Sequence, residues 1–559
     1  MSSMMSHIAR KILILYLVLT VVTFSARSQA QPTQGEIESV EVVIQKERQI
    51  TLPQAARNFD KVPPRPVEPI KPAITYTFRN IGFNSALYNP VIRPLRLQDE
   101  KLEPLAGNYI SAGFGNYVSP FLEGALNSKR NRDRFYGLRL FHQSFGTGPV
   151  DDKNSGNGRS EVGAYGKLIG EKATIGGEVD FERINTHFYG YVPTPVEIKA
   201  EDIRQTYSIF SLRGELQNSK PADFNYALKA GFSYLDDRYS ASESEVSLAW
   251  KSDYALSNSS RLLISADYFL ISRQDESVEA KGRHLFKVRP MYEFTPLEKL
   301  ILTVGANVVY ENDTLGKAKS FHVYPVAIAR YTLSPSLEAY ASLEGDIDKV
   351  SLHTLARENN WVGSNIGIFH TNRSLEFAAG LRGRAGSKVA LATGVAFANL
   401  KNWYFYQNNP TDVARFAPNY DQGNVTRLNL FAEAGVAQAE KLKVSVRGDL
   451  YSYSTDQVTE AWHRPTYKAS LFSSLNLYKK ISLQADFHVM GGMKAFDPIN
   501  IQTVTLDPAF DLNARVNYFF SRKFSAFVRF NNIFNSDYPM YFRYPVRGFQ
   551  AMGGVTWSF

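Results

Sequence analysis

From Gly107 to Phe559, apolar and polar side chains alternate in segments of about 10–14 residues, with turn-rich connections between them. Phe224, Tyr226, Leu228, Ala230, Phe232 and Tyr234 fall on one side of such a segment. Asn225, Lys229, Gly231 and Ser233 fall on the other, with Ala227 the small apolar exception. Leu442, Val444 and Val446 oppose Lys441, Lys443, Ser445 and Arg447 in the same way. Ile481, Leu483, Ala485, Phe487 and Val489 oppose Ser482, Gln484, Asp486 and His488. Side chains of a strand alternate with period two, so each segment has one apolar and one polar face. A soluble β-sandwich produces the same alternation, but its strands average about 5–6 residues, whereas strands that cross a bilayer need about 9–11. Lys229, Asp267, Arg447, Asp486 and Arg529 stand deep within segments, as expected where one face meets lipid and the other a wet lumen. The pattern predicts an all-β fold, a transmembrane antiparallel β-barrel of about 22 strands over residues 105–559.

The connections divide into two kinds, as in outer-membrane barrels with short turns at one end and long loops at the other. Short ones include Gly170–Lys172, Ser257–Ser260, Thr295–Glu298, Ser334–Ser336, Ala439–Glu440, Tyr478–Lys480 and Ser521–Lys523. Long ones run over Gly146–Gly158, Tyr191–Asp202, Asp346–Arg373 and Asn408–Gly423. Aromatic residues gather near segment ends, at Phe188-Tyr189, Trp403-Tyr404-Phe405-Tyr406, Tyr451 with Tyr453, and Tyr518-Phe519-Phe520. They are expected to form interfacial girdles.

The N-terminus has a different character. Arg10 and Lys11 precede a mostly apolar run from Ile12 to Phe24, followed by Ser28-Gln29-Ala30. This is the pattern of a signal peptide over residues 1–30, too short to span a bilayer. Its removal takes away Arg10, Lys11 and Arg27 and no acid, so the net charge falls from +9 to +6. The rest is spread along the chain without a basic block, so no nucleic-acid partner is expected. Residues 31–104 form a Pro-rich extension, with Pro63, Pro64, Pro66, Pro69 and Pro72 close together, read as a short periplasmic segment. The chain has no Cys, which excludes a disulfide scaffold, a thiolate metal site and a Cys nucleophile.

In the last segment Phe549, Ala551, Gly553, Val555, Trp557 and Phe559 alternate with Gln550, Met552, Gly554, Thr556 and Ser558. A barrel must pair its last strand with its first, and an aromatic-ended final strand suits that closure. The run Val528-Arg529-Phe530-Asn531-Asn532-Ile533-Phe534-Asn535-Ser536-Asp537-Tyr538 resembles the penultimate strand and turn of TonB-dependent receptors. Tyr544-Pro545-Val546-Arg547-Gly548-Phe549, with the ending Val555-Thr556-Trp557-Ser558-Phe559, is similar to that family's C-terminus. The resemblance covers about 30 residues. It implies a barrel of about 22 strands in the outer membrane, in contact with lipid and lipopolysaccharide. It makes Val555, Trp557 and Phe559 the closing strand and the signal for the barrel assembly machinery. Residues 31–104 contain no plug-like succession of strands and glycines, so a plug domain is not expected. Glu38, Val40, Val42 and Val43 lie in a short β-like run that resembles a TonB box, or that contacts another periplasmic or outer-membrane protein.

Motifs for chemistry are sparse. No H-E-x-x-H, nucleophile elbow or Walker loop occurs. Asp152 to Gly158 starts like a calcium loop, but Gly163 stands where the bidentate Glu belongs, so a hairpin loop is the reading. His142 with Asp151 or Asp152 is the nearest approach to a catalytic set, and nothing separates it from ordinary loop polarity. Trp361, Asn359 and Asn360 combine an aromatic with amides, a pairing that suits sugars and equally an interfacial loop. No catalytic, metal or cofactor residue is assigned. The expected function is a transporter or channel for an unidentified solute. The alternative is a non-transporting barrel subunit of an outer-membrane complex.

Overall fold

A computed structural model describes residues 107–128, 131–313, 320–438 and 441–559. The expected signal segment 1–30, the expected extension 31–104 and its candidate TonB-box residues lie outside the described residues.

Twenty-two antiparallel strands form one closed sheet. They run from the 7-residue first strand Tyr109–Gly115 to the 20-residue Val278–Leu297 and end with Gln550–Ser558. Consecutive barrel strands pair as hairpins, and three small two-stranded insertions leave this order unbroken. The insertions are Trp403–Asn408 with Phe416–Asp421, Lys494–Asp497 with Gln502–Thr505, and Pro539–Tyr541 with Tyr544–Pro545. Among the described residues no helix is long and apolar enough to cross a membrane.

The alternation read from the sequence sets which side chains face out. Leu228, Phe232, Tyr234, Val446 and Leu450 are exposed on the outer surface. This apolar band, unfavourable in water, is matched by lipid. At the short-turn end Tyr136, Tyr254, Tyr331, Tyr518, Phe520 and Trp557 are exposed and form a girdle.

The seam pairs the first and last strands along seven residues, with Ala112 opposite Val555 and Ile110 opposite Trp557. Ser111 and Thr556 hydroxyls bond at 2.8 Å, and the Phe559 N–H donates to the Asn108 carbonyl at 3.0 Å. Gly113 faces Gly554, which also faces Phe527 on its other side. The Phe527 ring lies over this glycine pair. A Cβ on Gly113 would stand 2.8 Å from the Gly553 carbonyl oxygen and 3.0 Å from Phe527 Cζ, and one on Gly554 would collide with both Phe527 and Ala112. A Cβ on Gly553, pointing the other way, meets nothing.

At the long-loop end the connections fold inward. Phe188, Tyr189 and Trp403 to Tyr406 are buried, so these clusters are not girdles but parts of an interior core. The expected loop Asn408–Gly423 is partly the strand Phe416–Asp421, which folds back on Trp403–Asn408. The lumenal wall changes to match. Tyr207, Ile209, Leu235, Leu285, Val309 and Val326 face inward and are almost fully buried. The lumen is therefore charged along much of its height and apolar where the loops pack.

Candidate functional site

Below the loops, charges on the same strand or on strands one or two places apart neutralise one another along the wall. Arg139 contacts Asp180 and Glu178, both at 2.5 Å, and Arg213 reaches the same two carboxylates at 2.5 and 3.1 Å. Glu293 binds Arg261 at 3.0 Å and Arg330 at 2.9 Å. Glu376 binds Arg427 at 3.1 Å, and Arg447 binds Asp449 at 2.9 Å. Several of the arginines are half-exposed, so each pair adds little stability. Their effect is to make the lumenal wall hydrophilic with little net charge locally.

Above this lining sits a cap. Its centre is the loop 349–370, which contains the short helix Leu352–Glu358, here called α1. Leu352, Leu355 and Ala356 recur at helical spacing and bury one face. The exposed N–H groups of the first turn are satisfied from within and from the wall. Ser351 Oγ accepts from Thr354 N–H at 3.2 Å, and the buried Glu243 carboxylate accepts from Leu352 and His353 N–H at 2.7 and 3.0 Å.

The loop is tied to the wall along a broad arc. Arg357 binds Glu182, which also holds Arg159 at 2.7 Å. Lys349 binds Glu245 at 2.5 Å. Arg273 donates to the Ile366 carbonyl and to Asp275, both at 2.5 Å, and Asp275 accepts from Asn365 N–H at 2.8 Å. Arg283 makes a bidentate pair with Asp313 at 2.7 and 2.9 Å and donates to the Val350 carbonyl at 2.9 Å.

Other loops converge on the far end of α1. Glu358 accepts from the Tyr404 hydroxyl at 2.5 Å, the Tyr406 hydroxyl at 3.3 Å and Arg464 at 2.9 Å, while its backbone carbonyl accepts from Tyr541 at 2.9 Å. Burial, then the adjacent Glu358 carboxylate, pushes both Tyr404 and Tyr406 above the usual tyrosine range. His463 joins three segments. Its Nε2 accepts from Phe542 N–H at 3.2 Å, which leaves Nδ1–H to donate to the Tyr406 carbonyl at 2.8 Å. Both nitrogens are occupied by the neutral ring, and burial holds its pKa down to about 4. His370 is held down to about 3 by burial and then by Arg283. Asp421, fully buried, accepts from the N–H groups of Gly423, Asp456, Gln457 and Val458 at 2.9–3.1 Å.

The sequence candidates fare unevenly. Trp361 lies in the cap core, 4.1 Å from Tyr544 and edge-on to Tyr189 and Tyr541, and donates to the His187 carbonyl at 3.0 Å. Asn359 is buried and orders the same turn by accepting from Trp361 N–H at 3.0 Å. Asn154 bonds Tyr191 at 3.0 Å and the Ile198 carbonyl at 2.7 Å, so its side chain joins two loops. His142 bonds Ser160 at 2.8 Å and Ser144 at 3.2 Å, while Asp151 accepts from Tyr191 at 2.5 Å, so the histidine and that aspartate bind other partners. Sequence reading missed Glu182, Glu243, Arg273 and Asp275. Glu243, Arg273 and Asp275 stand at the ends of their strands beside the short connections 238–241 and 276–277, and Glu182 stands inside its strand, so nothing local marks them. A cavity of about 260 Å³ opens beside Trp361, between the cap and the seam-side strands.

No family model matches the chain, and no curated protein matches it by sequence. Solved structures share its fold. The ferric-catecholate import receptor Fiu of Escherichia coli K12 superposes with a TM-score of 0.61 at 10% identity, over 81% of this chain and 82% of that chain. The siderophore receptor PirA of Acinetobacter baumannii gives 0.63 at 9% identity, over 81% and 80%. A mutant of the ferric enterobactin receptor PfeA of Pseudomonas aeruginosa gives 0.60 at 11% identity, again over 81% and 80%. At these identities the likeness is one of fold, and it agrees with the barrel implied by the C-terminal motif. The described residues form a closed 22-strand antiparallel β-barrel, the fold that these receptors have.

Proposed function

We propose that the protein is an outer-membrane transporter whose solute passes along the charged lumen and is gated by the inward-folded cap. Long loops of such barrels lie outside the cell, which supports reading the cap as the extracellular mouth. The observation that carries this reading is the change of lining: an apolar, loop-filled mouth above a wall of ion-paired charges. A path for a polar solute requires such a hydrophilic wall, and a mouth filled by packed loops is what would close it. TonB coupling through Glu38, Val40, Val42 and Val43 is part of the proposal, as is recognition of the Val555, Trp557 and Phe559 ending by the assembly machinery. The receptors that share the fold carry ferric-siderophore names, which gives metal chelates as one class of solute to try.

The test is planar-bilayer conductance of the purified full chain. Wild type is expected to be closed or nearly so. A double variant, Glu243→Gln with Arg273→Gln, detaches the loop 349–370 from the wall and is expected to conduct. No conductance in either protein, with both correctly folded, counts against a transport path. The dry core in the mouth favours a second reading, a non-transporting subunit of an envelope complex. A stoichiometric partner co-purifying in mild detergent, together with a silent double variant, would decide for it.

A further inference from the structure

The cavity of about 260 Å³ beside Trp361 holds two opposite charges that do not meet. Arg547 and Asp511 both line it, yet they form no ion pair with each other or with any other charged group among the described residues. Arg547 donates to the Asn157 side-chain oxygen at 2.6 Å and, weakly, to the Thr147 carbonyl at 3.4 Å, and it stacks on Phe145 at 4.1 Å. None of these partners is anionic. Burial lowers its pKa, opposed only by the Tyr189 and Tyr117 hydroxyls. On the same lining, Asp511 Oδ2 accepts from the Tyr538 hydroxyl at 3.1 Å, whereas Oδ1 is buried with no hydrogen-bond partner.

Burying either group unpaired is costly, and ion pairing is the usual compensation. Here a site with net charge near zero keeps a cation and a carboxylate apart, with space between. A neutral sugar would supply hydroxyls but no charge for Arg547. An acidic sugar would satisfy Arg547 and leave Asp511 uncompensated. A zwitterion answers both, its carboxylate at Arg547 and its ammonium at Asp511. Tyr189, Trp361, Met540 and Val546 supply apolar wall for a side chain. The volume falls below that of a drug-sized pocket, roughly 300–1,000 Å³, and suits a ligand of one or two residues.

We infer that this cavity is a binding site for a small zwitterion, an α-amino acid or dipeptide, held between Arg547 and Asp511. The inference deepens the transport reading by naming a solute class. It can fail separately, because binding is read without any flux.

The experiment is titration calorimetry on the full chain in detergent, with glycine, L-leucine and glycyl-leucine as probes. Acetate, D-glucose and D-glucuronate are the comparison ligands. Saturable binding of at least one zwitterion is expected, and each of Arg547→Gln and Asp511→Asn should weaken it about tenfold or more. Arg547 also joins two loops, so Arg547→Gln can disturb folding. Asp511→Asn keeps the acceptor for Tyr538 and supplies the clean variant, with heat-modifiable mobility as the folding check. The proposal is overturned if no zwitterion binds below about 10 mM, if glucose or glucuronate binds more tightly than all three, or if Asp511→Asn leaves zwitterion binding unchanged.

Discussion

Acid should loosen the cap, and His463 should account for a defined part of the effect. In the closed cap its ring is neutral, with one nitrogen donating to Tyr406 and the other accepting from Phe542. Opening exposes it to water, where its pKa returns from about 4 to the ordinary 6.5. A histidine whose pKa is depressed in the closed form stabilises that form fully above pH 6.5 and loses the contribution as pH falls towards 4. The whole effect is ~3 kcal/mol, and by pH 5 about 2 kcal/mol of it is gone, or roughly 30-fold in the opening equilibrium. Hydrogen exchange of the Phe542 and His463 amides at pH 7 and pH 5, expressed as protection relative to the unfolded rate, reads this directly. His463→Gln is the comparison, because an amide can both donate and accept but does not titrate. His370 remains in that variant and contributes its own loss of stability over the same interval. The wild type should therefore lose about 20-fold more protection than the variant between the two pH values. Equal pH dependence in both proteins would refute the role assigned to His463.

Asp421→Ala leaves four N–H groups without their acceptor, that of Val458 buried and the other three partly so, and at about 1–3 kcal/mol for a donor that water does not reach, the loss should be ~2 kcal/mol. Limited proteolysis should then cut between Phe416 and Val458 while the barrel stays intact. Gly554→Val should block barrel closure, because its side chain would occupy the space of Phe527 and Ala112, while Gly553→Val, which points into open space, should fold normally. Heat-modifiable mobility in detergent gels separates the two. Phe559→Ala should lower the yield of assembled barrel in membranes and leave the conductance of the folded fraction unchanged.

The barrel was legible because its physics is periodic. A strand between lipid and water must alternate, and segments such as Phe224–Tyr234 carry that rule in local order. Turn positions such as Gly170–Lys172 and Tyr478–Lys480 also lie between strands as expected. The cap was not legible, because the residues that build it are those that would build a girdle. Trp403 to Tyr406 and Tyr518 to Phe520 look alike in sequence, yet the first group is buried and the second holds exposed rings. What separates them is whether the neighbouring loop turns inward. That depends on partners far along the chain, such as Glu182 for Arg357 and Glu358 for Tyr541. The cavity is half visible in the sequence: Trp361 stands out, whereas Arg547 lies in the family-like ending and nothing local marks Asp511.

The tethers of the loop 349–370 also make the cap a gauge of circumference. Its contacts reach from its own flanking strands to Glu182, Glu243 and Arg273, on strands several places around the wall. Each strand adds ~4.8 Å of perimeter, so a barrel that closed with one hairpin too few or too many would change its diameter by ~3 Å. No side-chain rotation recovers that distance for all of them at once. Only a wall of the right number of strands can be capped, and a miscounted barrel would keep an open, protease-sensitive mouth.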